Sequence, residues 1–280
     1  MPWFRTLVPE TQYHQHQYAE ALWQALPEGG VWLDLGAGSR IHGGWLGHGP
    51  EALRQRVRTL VGVDLVAPHL RQHPQLTGGA LAEGETLPFR DGSVDLVSAN
   101  MVLEHLTAPA SVFREVARVL RPGGAFVFVT PNRAHPVIRL LALLLRPGAR
   151  RLLARVVESG RAADRVFLTH YRANRVLDLL QLGWETGLNV ERLVPFSSLP
   201  MFGRIPPLLA LEAAWIRWFA RPEGWYPEGG SNLLGVLRKP AGRLSPGEDA
   251  PVRLIPGPPA PSDGELLAQP SGERGGALLL

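Results

Sequence analysis

The stretch that decides the fold of this chain is Val31-Trp32-Leu33-Asp34-Leu35-Gly36-Ala37-Gly38-Ser39-Arg40. Its first half is apolar except for one acid, which is typical of a strand buried in a sheet. Its second half is a turn with two glycines, a residue that allows a positive φ and a close approach of the backbone to a ligand. A loop of this kind after the first strand of an α/β domain is where nucleotide-like cofactors bind.

The composition restricts the classes of protein to which the chain can belong. Its 280 residues are 45% hydrophobic and 19% charged, which favours a globular protein over a disordered one. The formal net charge of +4 alone predicts only a non-specific attraction to anions, so we expect no nucleic-acid partner. The absence of cysteine excludes disulfides, thiolate zinc sites and a cysteine nucleophile, and the spacing of the nine histidines predicts no metal site.

The location of the protein is predicted from two negative features. Residues 1–10 lack a basic region followed by an apolar run, so we predict no secretory signal. The longest apolar run, Leu140–Leu145, is too short to span a bilayer. We therefore expect a cytoplasmic protein.

Apolar strand segments alternate with helical segments along the first half of the chain. Strands are predicted at Val31–Leu35, Leu60–Asp64, Ala80–Glu83, Ser93–Asn100, Ala125–Thr130, Leu188–Pro195 and Asn232–Leu237, and helices at Thr11–Leu26, Glu51–Arg58, Ser111–Leu120, Asn174–Leu182 and Pro206–Ala220. Gly183 and the segment Arg121-Pro122-Gly123-Gly124 are predicted to end two of the helices. This order predicts an α/β fold, in which a mostly parallel seven-stranded sheet is flanked by helices.

We predict one domain over residues 1–240, with helical insertions after strands 5 and 6 at about residues 135–165 and 200–228. The insertions are apolar with interspersed arginines. Three interpretations stay open for them: a lid over an apolar or lipid-like substrate, a peripheral contact with a membrane surface, and ordinary packing. Residues 241–280 are rich in Pro, Gly and Ser, which predicts a disordered tail.

The glycine loop is the first of several motifs that occur in a characteristic order. They are Asp34–Gly38, Val63-Asp64, the segment from Glu83 to Asp95, Asn100–Leu106 and Arg114–Gly124. In these motifs and their order the chain resembles the Rossmann-like S-adenosylmethionine-dependent methyltransferases, in particular the small-molecule group called methyltransferase type 11. The resemblance covers roughly residues 10–240 and implies S-adenosyl-L-methionine as the cofactor and a small molecule as the substrate.

The resemblance also implies which residues bind the cofactor. Asp64, at the end of the second strand, corresponds to the acid that binds the ribose, since one carboxylate can accept hydrogen bonds from both hydroxyls of a diol. Gly36, Ala37 and Gly38 would place backbone against the ribose and amino-acid portions. The remaining implied residues are Asp34 for the ammonium, Leu65, Glu83 and Gly84 near the adenosine, Asn100 at the methionine end, and Tyr18 closing over the cofactor. Each also has a purely structural interpretation, as a loop-fixing acid, a tight turn or a packing residue.

Methyl transfer from a sulfonium needs mainly the correct positioning of the two reactants. A general base is useful only where the acceptor must lose a proton, and the candidates are His105 and His170. One alternative is a non-catalytic binding protein that keeps the cofactor site. A weaker alternative is an NAD(P)-dependent oxidoreductase, although Ile41 occupies the place of the third glycine of the dinucleotide fingerprint.

Overall fold

The structure is a computed structural model that describes residues 14–39, 55–135, 168–196, 206–219 and 230–242, with the single residues 52 and 139. Its elements are, in chain order, α1 (His14–Ala25), β1 (Gly30–Leu35), β2 (Val57–Asp64), α2 (Ala67–Gln72), β3 (Gly78–Leu81), β4 (Val94–Asn100), a 3-10 turn (Leu103–His105), α3 (Pro109–Val119), β5 (Leu120–Pro131), α4 (Val176–Thr186), β6 (Asn189–Phe196), α5 (Pro206–Phe219) and β7 (Asn232–Arg238).

The seven described strands form one sheet in the order β3-β2-β1-β4-β5-β7-β6. The first five strands pair in parallel, whereas β7 is antiparallel to both of its neighbours. The strand order reverses between β1 and β4, and open α/β sheets bind ligands beyond the carboxyl ends of the strands at such a point. The predicted fold is therefore confirmed, and its topology places a candidate site next to the glycine loop.

Alternation along the strands gives the sheet two apolar faces. On β5, Ala125, Val127 and Val129 point to the face covered by α1, where Tyr18 and Leu22 of that helix are buried, together with Leu26 just after it. Phe126 and Phe128 point to the opposite face, where α3 and α4 pack. The two phenylalanines make aromatic contacts with each other and with Phe113 of α3, with ring centroids 5.0–6.2 Å apart. The side chains of β5 are therefore buried on both faces of the sheet that carries the site.

Several predicted boundaries are wrong. Strand β2 begins at Val57, inside the predicted helix Glu51–Arg58, because Val57 pairs with Gly30 of β1. Strand β5 begins at Leu120, directly after α3, and thus includes the predicted Pro-Gly-Gly stop. The third strand, predicted at Ala80–Glu83, lies at Gly78–Leu81.

Gly183 does not end its helix, which continues to Thr186 and ends at Gly187 with φ 70°. A Cβ at Gly183 would lie 3.0 Å from the carbonyl oxygen of Leu188, so this glycine serves the close packing of α4 against the following segment. A glycine inside a helix and one at its end give the same local signal, which explains the error.

The predicted insertions lie largely outside the described residues. The segment from 200 to 228 contributes α5, in agreement with the predicted helix Pro206–Ala220, while most of 135–165 and almost all of the predicted tail at 241–280 fall outside. Among the residues described, no helix combines the length and the apolar character needed to cross a bilayer. The cytoplasmic location and the peripheral membrane contact stay predictions.

Candidate active site

A cavity of about 500 Å³ lies at the carboxyl ends of β1, β2 and β4, within the size range of small-molecule sites. It is lined by Leu35, Gly36, Gly38, Val63, Asp64, Leu65, His69, Ala82, Glu83, Gly84, Glu85, Ala99, Asn100, Met101, Val102, Leu103, His105, Leu106, Thr107, Val112 and Phe126. Carboxylates are concentrated near β2 and β3, and apolar side chains near the end of β4. The cavity therefore has one polar region and one apolar region.

The glycine loop takes the conformation that its sequence predicts. Gly36 and Gly38 have φ values of 64° and 59°, in the left-handed region that favours glycine. The amides of Gly36 and Ala37 donate to the carbonyl oxygen of Val63, at 2.8 and 3.1 Å, so the loop turns toward β2. A Cβ at Gly36 would lie 2.6 Å from Cγ2 of Val102, so the loop packs closely against the end of β4, and both residues line the cavity.

Asp64 is held in place at the end of β2 with its side chain almost buried. Its Oδ2 accepts from the amide of Gly38 at 2.9 Å, and its Oδ1 accepts from the amide of Val66 at 2.8 Å. Each carboxylate oxygen can accept more than one hydrogen bond, so the fixed carboxylate keeps capacity for a ligand diol. The Nδ1 atom of His69 lies 3.6 Å from Oδ1 of Asp64 and forms an ion pair when the ring is protonated.

Asp34 is not among the residues that line the cavity. Its side chain belongs to the sheet face covered by α1, where the hydroxyl of Ser98 donates to Oδ1 and Nε1 of Trp32 donates to Ser98 at 2.7 Å. Burial raises the pKa of Asp34 to about 7; the Ser98 hydrogen bond opposes that shift, and the charge of Asp64 adds to it. Burial also raises the pKa of the neighbouring Tyr18 well above its usual value, with a further contribution from Asp34.

The end of β4 supplies the apolar region of the cavity. Met101 has φ 58°, an unusual conformation for a side chain other than glycine, and its amide donates to the carbonyl oxygen of Val129 at 2.9 Å. Backbone strain of this kind concentrates at functional sites. The 3-10 turn then places His105 at the cavity, with Nδ1 3.1 Å from the carbonyl oxygen of Leu168.

The structure brings most of the predicted site residues to one place. The cavity is lined by Gly36, Gly38, Asp64, Leu65, Glu83, Gly84, Asn100 and His105. Four others lie outside the lining: Asp34 beneath α1, Tyr18 on α1 itself, Ala37 in the loop, and His170, whose amide donates to the carbonyl oxygen of Glu104 at 2.7 Å. Their assigned roles stay predictions.

Sequence reasoning missed His69, Glu85 and Met101 as lining residues. A signal existed for His69, because Pro68 starts a helix well and thereby places His69 in the first turn after the β2 carboxylate. For Met101 the sequence gives no sign of a positive φ. In the described ranges, no group of three or more His, Asp or Glu side chains is arranged to hold a metal ion.

Comparison with known proteins finds a family match in the central region of the chain. Residues 33–128 match a family model described as Methyltransferase domain. The chain is 40% identical over 93 residues to the "Probable S-adenosylmethionine-dependent methyltransferase" of Mycolicibacterium smegmatis, a match that covers 31% of this chain and 35% of that protein. It is 36% identical over 125 residues to the ubiquinone biosynthesis O-methyltransferase of Pseudomonas entomophila, covering 40% of this chain and 48% of that protein. These matches span less than half the length of the curated relatives.

A solved structure extends the similarity to most of the chain. It is a chain of the complex between the Haloferax volcanii Trm112 methyltransferase activator and a methyltransferase, with a TM-score of 0.54 and 19% identity over 87% of this chain and 97% of that chain. At this identity the likeness shows the fold alone. Residues 33–128 therefore match the methyltransferase domain family, and the described sheet has the Rossmann-like fold of the methyltransferase chain in that complex.

Proposed function

We propose that this protein transfers a methyl group from S-adenosylmethionine to a small organic acceptor with an apolar body. The observation that carries the proposal is the meeting of the glycine loop, the β2 carboxylate and the end of β4 around one cavity. The family match of residues 33–128 supports the same reaction class. The cofactor supplies a methyl group that is activated by its bond to a positively charged sulfur.

The residues present fit this cofactor. The carboxylate of Asp64 is fixed by two backbone amides and can accept hydrogen bonds from a ribose diol. Gly36 lines the cavity, and a Cβ at this position would collide with the side chain of Val102, which also lines it. Glu83 and Asn100 add a carboxylate and an amide to the cavity wall. In our proposal these four residues hold the cofactor by its ribose, amino-acid and adenine portions.

The apolar region of the cavity supports an acceptor with an apolar body. Met101, Val102, Leu103 and Leu106 all line the cavity beside His105. Burial of an apolar ligand against such side chains contributes roughly 25 cal/mol per Å². The relative named for ubiquinone biosynthesis has a substrate class compatible with this surface. We infer that the acceptor carries one methylatable polar atom on an otherwise apolar molecule.

His105 is the proposed general base for acceptors that must lose a proton. Its Nδ1 faces the carbonyl oxygen of Leu168 at 3.1 Å. A carbonyl oxygen only accepts hydrogen bonds, so Nδ1 carries the proton of the neutral ring and Nε2 is the basic nitrogen. A positioned base of this kind accelerates proton transfer by about 10²–10⁴-fold.

Cofactor binding is tested by calorimetry with S-adenosylmethionine and S-adenosylhomocysteine. Charge-assisted hydrogen bonds contribute about 1.5–3 kcal/mol each, so Asp64→Ala should weaken binding by at least about tenfold. The matched control is Glu185→Ala, an exposed carboxylate on α4 that lies outside the cavity lining. Absence of binding heat with the folded wild-type protein would refute the proposal.

Turnover is tested by the release of S-adenosylhomocysteine with a panel of phenolic, amine and carboxylate acceptors that bear apolar substituents. We expect turnover with at least one phenolic acceptor and a lower rate when the apolar substituent is removed. Cofactor binding without turnover across the panel would favour the non-catalytic binding protein instead.

A further inference from the structure

His69 lies in the cavity wall beside the carboxylate that ends β2. It belongs to the first turn of α2, a helix that begins three residues after Asp64. The amide of His69 donates to the carbonyl oxygen of Val66 at 3.0 Å, and a Cβ at Gly79 of β3 would lie 3.3 Å from Cβ of Leu70. The helix therefore packs closely on β3 and holds His69 next to Asp64.

One nitrogen of this imidazole is buried without a hydrogen-bond partner. The Nδ1 atom of His69 lies 3.6 Å from Oδ1 of Asp64, which is beyond the usual length of a hydrogen bond, about 2.7–3.2 Å. Among the described residues, no other group forms a hydrogen bond with this nitrogen. Buried nitrogen and oxygen atoms of folded proteins are nearly always hydrogen-bonded. An unpartnered nitrogen in a cavity wall therefore indicates that a ligand supplies the bond.

The neighbouring carboxylate determines where a ligand hydroxyl binds. Both oxygens of Asp64 already accept from a main-chain amide, Oδ1 from Val66 and Oδ2 from Gly38, and each has capacity for a further bond. When Oδ1 and Nδ1 are 3.6 Å apart, one oxygen atom can lie about 2.8 Å from both of them. A diol bound by Asp64 therefore places a hydroxyl within reach of His69.

A hydroxyl is the ligand group that suits Nδ1 in every protonation state of the ring. When Nδ1 carries a proton, it donates to the hydroxyl oxygen, and that hydroxyl donates to Asp64. When Nδ1 carries no proton, it accepts from one hydroxyl of the diol, and the other hydroxyl donates to Asp64. The contact therefore requires no particular tautomer or charge of His69.

The surrounding wall fits the rest of an adenosyl group. Leu65 follows Asp64 directly and is 59% exposed although it lines the cavity, so it offers uncovered apolar surface to a planar base. Of the described lining residues near β2 and β3, the other polar side chains are the carboxylates of Asp64, Glu83 and Glu85. In this part of the wall, His69 is thus the side chain that has an N–H to donate.

We propose that His69 is a cofactor-binding residue whose ring contacts the ribose hydroxyl bound at Oδ1 of Asp64. The proposal rests on the proposed function and adds a side chain from α2 to the site. Recognition of the ribose diol is then shared between β2 and α2. Substrate chemistry and proton transfer are not involved, so the contact is measurable as ligand affinity alone.

The first test measures binding of three ligands by calorimetry with the folded full chain. The ligands are S-adenosylhomocysteine and its 2′-deoxy and 3′-deoxy analogues. His69→Phe keeps a planar ring and removes both nitrogens. The matched control is Gln72→Ala, an exposed residue of the same helix that lies outside the cavity lining.

A net hydrogen bond corresponds to a factor of about five in affinity. His69→Phe should therefore bind S-adenosylhomocysteine about fivefold more weakly than wild type. For the analogue that lacks the contacted hydroxyl, His69→Phe and wild type should bind almost equally, because the bond is absent from both complexes. The control Gln72→Ala should bind all three ligands as wild type does.

The pattern over the three ligands separates a direct contact from a structural effect. Unchanged affinity of His69→Phe for S-adenosylhomocysteine, or an equal loss for all three ligands, would overturn the proposal. If His69→Phe does not fold, as judged by its unfolding transition, His69→Ala takes its place in the same comparison. Absence of binding heat with wild type contradicts the proposed function, whereas wild-type binding with equal losses contradicts the His69 contact alone.

The second test follows the ring nitrogens of His69 by NMR during the addition of S-adenosylhomocysteine, with the resonances assigned from their loss in His69→Phe. They should shift on binding, and the shift should be smaller with the deoxy analogue that His69→Phe binds as wild type does. The resonances of His73, which follows α2 and lies outside the lining, should change less. His69 resonances that do not move at saturation would overturn the contact.

Discussion

The replacement of Asp34 by asparagine should remove a loss of folding stability that wild type undergoes as the pH rises to about 7. Asp34 is 8% exposed and accepts a hydrogen bond from the hydroxyl of Ser98. Asparagine keeps a carbonyl oxygen for that hydroxyl and replaces the ionisable oxygen with an amide nitrogen that does not titrate. The substitution therefore isolates the cost of a buried negative charge from the loss of a hydrogen bond.

The magnitude follows from the difference between the folded and unfolded pKa values. Burial raises the folded pKa of Asp34 from 3.8 to about 7. An acid with a raised folded pKa binds its proton more tightly in the folded state, so its stabilising contribution is complete below pH 4 and is lost as the pH rises to about 7. Each unit of difference corresponds to about 1.4 kcal/mol, which gives a loss of about 4 kcal/mol across this window.

The assay is urea-induced unfolding of wild type and Asp34→Asn at several pH values between 4.5 and 8.5. Other carboxylates and histidines titrate in the same range, but they are common to both proteins and cancel in the difference. The stability of Asp34→Asn relative to wild type should rise with pH up to about pH 7 and then become constant. The control Glu185→Gln, an exposed carboxylate, should show no such rise.

A relative stability that does not depend on pH would refute the reasoning, because it would mean that Asp34 ionises equally easily in the folded and unfolded chain. The same variant tests the sequence-based assignment of Asp34 to the cofactor ammonium. Its position outside the cavity lining predicts unchanged affinity for S-adenosylmethionine. A clear loss of affinity would restore the sequence-based role.

Three further substitutions test the glycine loop, the packing of the core and the hydrogen bonds of Arg118. Gly36→Ala puts a Cβ at a φ of 64° and 2.6 Å from Cγ2 of Val102, and a left-handed conformation costs a residue with a Cβ about 1–2 kcal/mol. We expect about tenfold weaker cofactor binding by calorimetry. Wild-type affinity would contradict the close packing of Gly36 against Val102. Gly235→Ala puts a Cβ 2.2 Å from the ring of Phe128 and should lower the free energy of unfolding by about 1–3 kcal/mol or more, measured by denaturation; an unchanged value would mean that the core is looser than described. Arg118→Met removes hydrogen bonds to two carboxylates and two main-chain carbonyls. The free energy of unfolding should fall by about 1–3 kcal/mol. This prediction fails if the midpoint of denaturant unfolding does not move.

Much of the fold was predictable because its signals are local. Alternating apolar segments and turn residues near each strand end indicated all seven strands, with errors confined to their boundaries. The glycine loop was predictable in the same way, since Gly36 and Gly38 take the positive φ that their residue type favours. Gly183 shows the limit of such signals, because its role depends on Leu188 packing against the helix and not on its neighbours in the chain.

What the sequence by itself determined is the resemblance to a methyltransferase domain, through motifs that lie at strand ends in a fixed order, and the parallel sheet that brings those ends together. Only the tertiary structure decided which side chains reach the cavity. Asp34 and Gly36 are two residues apart, yet Asp34 turns toward α1 while Gly36 lines the cavity. The hydrogen bonds from Asn174 to Thr130 and from Thr130 to Glu104 join residues separated by 44 and 26 positions. The physical reason is that periodicity and turn chemistry act within a few residues, whereas burial, hydrogen-bond direction and pKa depend on neighbours that packing supplies from distant parts of the chain.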